Sequence, residues 1–263
     1  MPDSLPYVIA GLVVGTMVGL TGVGGGSLMT PILMLVFGQS PVTSVGTDLV
    51  FAATTKVVAT ASFGYSRRID WGVVWRLALG SIPGAAGVIG WLWLAHTPAF
   101  VDHVITRGLA VMLTITALGL ALQLPFNRRA LDFTTASLER AEPYKPILTA
   151  IAGILLGAAI ALTSVGAGAL GTVALLWLYP RRLPPDRLVA TDIAHALPVT
   201  IVAGMGHAAL GHVNVPILGY LLIGSIPGVW LASRAAIRLP ASITRALIAI
   251  MLIVAAGRIL LTP

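Results

Sequence analysis

The chain has 263 residues, is 57% hydrophobic and 10% charged, and contains no cysteine. Soluble domains carry roughly 25% charged residues, so the composition excludes an ordinary soluble domain, and the missing thiols exclude disulfides, thiolate metal sites and cysteine nucleophiles. The net charge of +7 predicts no nucleic-acid partner, because the basic residues cluster between apolar runs, where positive-inside anchoring explains them.

The start, Met1-Pro2-Asp3-Ser4, lacks a basic n-region and predicts no cleavable signal peptide. Eight apolar segments follow, at 5–37, 42–63, 72–95, 102–123, 147–179, 186–209, 214–235 and 242–261. Six have ordinary spanning length, about 20 residues. The first and fifth, of about 33 residues, would form helices of roughly 50 Å against a hydrocarbon core of about 30 Å. Each is interrupted near its middle. Residues 21–27 read Thr-Gly-Val-Gly-Gly-Gly-Ser, and residues 163–169 read Thr-Ser-Val-Gly-Ala-Gly-Ala. Broken backbone at membrane depth survives only when buried in protein or lining a cavity. Each long segment is therefore predicted to be a broken re-entrant helical hairpin, with a full crossing as the rival.

The two long segments are copies. Gly11, Gly15, Leu20, Thr21, Val23, Gly24, Gly26 and Leu28 match Gly153, Gly157, Leu162, Thr163, Val165, Gly166, Gly168 and Leu170 at a constant offset of 142. Thr47-Asp48 then matches Thr191-Asp192, Gly80-Ser81-Ile82-Pro83-Gly84 matches Gly224-Ser225-Ile226-Pro227-Gly228, and Ile105-Thr106-Arg107 matches Ile243-Thr244-Arg245. Chance coincidence of small residues could explain one anchor, not four in the same order. The chain divides into a first repeat of about 1–125, a polar linker 126–145 and a second repeat of about 146–263, within a single membrane domain.

Arginine placement sets the topology. Arg67-Arg68, the linker residues Arg128, Arg129, Arg140 and Lys145, the group Arg181, Arg182 and Arg187, and the pair Arg234 and Arg238 all lie in loops or at segment ends. The loops near 38–41, 96–101 and 210–213 carry no Lys or Arg. If every segment crossed, the linker and the 181–187 cluster would face opposite sides, against the positive-inside rule. If the long segments are re-entrant, every basic cluster falls on one side. Each repeat then has three transmembrane helices and the second is inverted, an arrangement typical of secondary transporters. The expected fold is an all-α polytopic membrane protein of two inverted repeats.

The second arm of each hairpin is predicted to begin near 25–28 and 167–170. A helix start offers unpaired N–H groups and about half a positive charge, and glycine lets a ligand approach backbone closely. Two such starts could cradle one small anion at mid-membrane. Gly24, Gly25, Gly26, Gly166 and Gly168 would supply backbone, and Thr21, Ser27, Thr163 and Ser164 hydroxyls. The plainer reading is that the glycines only permit close helix packing. Ionisable residues inside membrane segments are functional candidates by default. Lys56 could attract the anion, and its repeat partner is Thr200, so the charge is asymmetric. Asp48, Asp192 and His195 are candidates for proton coupling, since His195 lies one helical turn from Asp192. Against this stands mutual neutralisation of Asp48 and Lys56, with both acids capping helices near a membrane surface. His207 and His212 are expected at an interface, Trp71, Trp75, Trp91 and Trp93 in an aromatic belt, Pro83 and Pro227 at kinks, and Arg107 and Arg245 snorkelling. No catalytic constellation, metal set or nucleotide loop is legible, so no enzyme activity, metal or cofactor is expected.

The run Gly22-Val23-Gly24-Gly25-Gly26-Ser27-Leu28 with Pro31, then Val45-Gly46-Thr47 and Ile69-Asp70-Trp71, resembles the TauE/SafE family of membrane permeases. The resemblance covers essentially the whole chain. It implies export or uptake of sulfite, sulfonates and related organosulfur anions across a bacterial cytoplasmic (inner) membrane; Asp48 and Lys56 depart from the family's general pattern. The expected partners are a small anionic substrate and the lipid bilayer, with homo-oligomerisation left open. The expected function is secondary transport of sulfite, a sulfonate or thiosulfate by alternating access. An anion channel of the same architecture and a membrane-embedded enzyme or scaffold are the alternatives.

Overall fold

The computed structural model describes residues 4–21, 26–65, 68–95, 97–123, 145–166, 168–179, 182–235 and 241–261. The described residues form ten helices: α1 Leu5–Thr21, α2 Gly26–Leu35, α3 Pro41–Tyr65, α4 Trp71–Leu94, α5 Pro98–Gln123, α6 Lys145–Thr163, α7 Ala169–Leu178, α8 Pro185–Ala209, α9 Val215–Ala235 and α10 Ala241–Leu261. No strand occurs among them. Five carry stretches long and apolar enough to cross a membrane: Trp71–Leu94, Pro98–Gly119, Lys145–Thr163, Arg187–Ala209 and Val215–Ala232.

The second long apolar segment is broken at its glycine-rich motif into α6 and α7; in the first, α1 and α2 flank residues 22–25, which lie outside the described residues. At the second break, Ser164, Gly166 and Gly168 have φ of 58°, 119° and 118°. Glycine takes such angles readily, whereas a serine there is strained. The Thr163 hydroxyl accepts from the Val165 amide at 3.2 Å, steadying the turn that leaves α6.

Glycine pairs decide which helices touch. Gly11 and Gly15 of α1 lie against the backbone of Leu221 and Ser225 in α9, while Gly224 and Gly228 of α9 lie against Val8 and Leu12 in α1. The same contact recurs between α4 and α6. There Gly80 and Gly84 meet Ala150 and Ile154, and Gly153 and Gly157 meet Leu77 and Ser81. Small residues four apart let helix backbones close up in this way. The first helix of each sequence half thus packs on the third long helix of the other, so neither half is a separate lobe. Pro83 and Pro227 lie inside α4 and α9, within these crossings.

α3 packs against α8, and α5 against α10. α8 is the most enclosed of the five spanning stretches. Large side chains such as Leu79, Leu155 and Ile223 point outward, giving the apolar exterior that lipid requires. Trp71, Trp75 and Trp93 are exposed at the ends of α4, as an aromatic belt demands. His207 differs from its interfacial expectation. It is fully buried, and its Nε2–H donates to the Ala161 carbonyl at 3.0 Å. The hydrogen bond satisfies one nitrogen of a ring that α8 carries into the protein rather than to its surface, while Nδ1 is buried without a partner.

Candidate functional site

α3 and α8 run antiparallel. Gly46 near the start of α3 meets His207 and His212 at the end of α8, and Gly204 meets Leu49 and Val50. Given this register and the matched Thr47-Asp48 and Thr191-Asp192 pairs, the two helices are equivalent at about residues 54–55 and 198–199. Lys56 stands at that mid-level. Asp48 and Asp192 lie about 10 Å to either side along the axes, at 1.5 Å per residue. All three are buried: Asp48 is 0% exposed, Asp192 1% and Lys56 3%.

Each carboxylate is held by a short helix of its own half. Asp48 Oδ2 accepts from the backbone N–H of Thr30 in α2 at 3.2 Å and from the Thr30 hydroxyl. Asp192 Oδ2 accepts from the Thr172 hydroxyl in α7 at 3.3 Å, and the Gly168 amide at the start of α7 is directed at the same carboxyl. Thr30 and Thr172 share the 142-residue offset of the glycine motifs. Sequence reasoning missed both, although that offset pointed to them. Gly171 makes room for the second contact, since a Cβ at that position would overlap the Asp192 carboxyl.

Lys56 is under the field of both carboxylates. No direct ion pair joins Lys56 to either acid among the described residues. Asp48 Oδ1, Asp192 Oδ1 and Ser164 Oγ are buried without a well-formed hydrogen bond. Ser164 nevertheless lies close enough to act on Asp48, which ties the second break to the first half's acid. His195 points elsewhere. Its Nε2 lies 2.9 Å from Ser81 Oγ in α4, in a buried contact.

Of the sequence candidates, Gly24 and Gly25 lie outside the described residues, and Thr21, Gly26 and Ser27 are placed only as helix backbone. Thr163, Ser164, Gly166 and Gly168 come together at the second break, with Gly168 turned to Asp192. Two lateral cavities are apolar. One is bounded by Pro83, Trp91 and Leu162, the other by Pro31, Ile250 and Met251, and Lys56 lines neither.

Above and below the charges, the helix ends are tied across the halves. The Asp70 amide donates to the Thr191 hydroxyl at 3.1 Å, and the Asn214 amide donates to the Thr47 hydroxyl at 2.9 Å. Asp70 and Asn214 each accept an amide of the following helix, from Val73 and Ile217. One tie is ionic: Arg182 grips Asp70 with two hydrogen bonds of 2.7 and 2.9 Å. The other is neutral, with Asn214 donating to Gln39 at 3.3 Å. The Arg182 hydrogen bonds hold the Asp70 carboxyl below the usual carboxylate range, against a smaller opposing effect of burial.

The family described as Sulfite exporter TauE/SafE matches residues 7–259. The Bacillus subtilis (strain 168) protein named "Probable membrane transporter protein YjnA" is 39% identical over 236 residues, covering 88% of this chain and 89% of that one. A second protein of that organism, "Probable membrane transporter protein YunE", is 24% identical over 86% of this chain and 85% of its own length. No solved structure matches.

Proposed function

Because the chain belongs to the TauE/SafE family, a family of membrane transporters, we propose that it carries a small sulfur-containing anion (sulfite, a sulfonate or thiosulfate) across a bacterial cytoplasmic membrane by alternating access. The observation that carries this reading is Lys56: a buried ammonium at the mid-level of the central helix pair, with no direct carboxylate partner among the described residues. An unpaired cation in a low-dielectric interior is costly unless an anion joins it. Ser164, with its unsatisfied hydroxyl, and the broken backbone at Gly166 would form the second anion-binding arm. Thr21, Gly24, Gly25, Gly26, Ser27, Thr163 and Gly168 complete the proposed cradle. The antiparallel pairing of α3 with α8 and the matched ties at either end support inverted repeats and a site reached from each side in turn.

The test is uptake of radiolabelled sulfite, thiosulfate and ethanesulfonate into proteoliposomes, with protein-free vesicles as the blank. At least one anion should enter at a carrier's saturable rate. Lys56→Ala should lower that uptake by roughly 10- to 100-fold, the range of a charge-assisted hydrogen bond of about 1.5–3 kcal/mol. Entry of none of the three, or unchanged uptake by the variant, overturns the proposal.

A further inference from the structure

The buried core holds more acid than base. With Asp48, Asp192 and Lys56 all ionised, the set carries one excess negative charge, within a region where each of them is almost completely enclosed. An incoming anion would add to that excess, and burying unpaired like charge is strongly unfavourable. The groups an anion would use are also already engaged. The Gly168 amide and the field of Lys56 both act on the Asp192 carboxylate. Asp192 would therefore compete with an anion at the second helix break.

We propose that Asp192 is the site of a co-transported proton, so that the anion binds only when this carboxyl is neutral. The reading rests on the proposed anion site at Lys56. A neutral Asp192 releases Lys56 and the Gly168 amide, and one proton taken up with one anionic charge leaves the core's net charge unchanged. Bond by bond, the carboxylate gains an O–H, the attraction between Asp192 and Lys56 is lost, and one between the anion and Lys56 replaces it. No electron moves. The geometry favours Asp192 over Asp48, because Asp48 accepts both the Thr30 amide and the Thr30 hydroxyl, while the side-chain bond to Asp192 comes from a Thr172 hydroxyl at 3.3 Å that lies closer to the Gly168 carbonyl. The charged or titratable groups around Asp192 are few. α3 presents Lys56, and α7 presents only the Thr172 hydroxyl and the Gly168 amide. α4 contributes Asp70, already bound to Arg182, and an exposed Arg76. Lys145 stands at the outer start of α6. On α8 itself, His195 is bound to Ser81, and Arg187, with its Nε buried and unpartnered, lies toward the Asp70 end.

The intact protein in detergent is titrated with ethanesulfonate and with thiosulfate, both ionised throughout, from about pH 5 to about pH 8, and affinity is read from thermal stabilisation. Apparent affinity of the wild type should weaken with rising pH, approaching about tenfold per unit, the slope for one linked proton. Asp192→Asn should bind with a flat pH dependence, and Asp48→Asn should keep the slope. In wild-type vesicles holding a trapped pH dye, anion entry should acidify the interior. A flat wild-type profile, a slope that survives Asp192→Asn or disappears with Asp48→Asn, or entry without acidification overturns the proton site while leaving anion transport standing. If neither anion binds nor enters, the transport proposal itself fails.

Discussion

At single residues, the site is a competition for donors. Gly171 tests it most directly. A Cβ there would overlap the Asp192 carboxyl, which must turn away to admit it. Gly171→Ala should therefore push Asp192 off the start of α7 and reduce transport, at a stability cost of about 1–3 kcal/mol for overpacking. Transport and unfolding midpoint matching the wild type would show the carboxyl is free to leave. Ser164 offers the converse test. Its left-handed backbone suits glycine, so Ser164→Gly should change stability by no more than about 1 kcal/mol, strain relief offsetting lost chain restriction. Any large fall in anion affinity then belongs to the hydroxyl. Sequence alone made Asp48, Asp192 and Lys56 visible, since charge inside an apolar segment stands out against its neighbours. The partners were invisible for a physical reason. Thr30 and Thr172 are ordinary hydroxyls in apolar helices, and only a fold that returns α2 and α7 to the acids makes them donors.

At the scale of helices, the break between α6 and α7 and all four glycine pairs were legible. A helix too long for the bilayer must break or tilt, and the glycine-rich motif marks where this one breaks. The pairing of those glycines was not legible. Spacing of four residues announces a close contact but not its partner, and here the partner lies in the other half of the chain. Gly15 of α1 meets Ser225, and its counterpart Gly157 of α6 meets Ser81. Each approach is backbone to backbone, with no flexible side chain to absorb a methyl. Gly15→Ala and Gly157→Ala should each lower stability, by about 1–3 kcal/mol, and by similar amounts. Denaturation in detergent reads this directly. A wide difference between the two would mean that one crossing, and not both, holds the molecule together.

Across the whole molecule, the two ends differ in one respect that would matter for the proposed alternation. The tie at Asp70 is ionic and the equivalent tie at Asn214 is neutral. Asp70 sits beside the basic loops, so in the proposed topology the ionic tie would close the face that positive-inside anchoring assigns to the cytoplasm. Its folded carboxyl titrates below the usual value of 3.8. A depressed acid stabilises the fold fully above its unfolded value, and that contribution disappears as pH falls through the folded one. Acid should thus loosen this end first, while physiological pH leaves it intact. Arg182 is about half exposed, at 47%, which limits the bridge to about 1 kcal/mol. That suffices to change a two-state ratio about fivefold. Asp70→Asn with Arg182→Gln would make the two ends chemically alike and should shift the population toward opening at the basic face. The absence of cysteine allows a clean readout. Thr55 is buried beside Lys56, and its hydroxyl bonds only within its own helix among the described residues, to Ala52, so Thr55→Cys is a mild reporter. An impermeant thiol reagent applied from the basic face should label that cysteine about fivefold faster in the double variant, with slower labelling from the opposite face. Equal rates from both faces, before and after the change, would reduce the ionic tie to a static staple and remove it from the transport cycle.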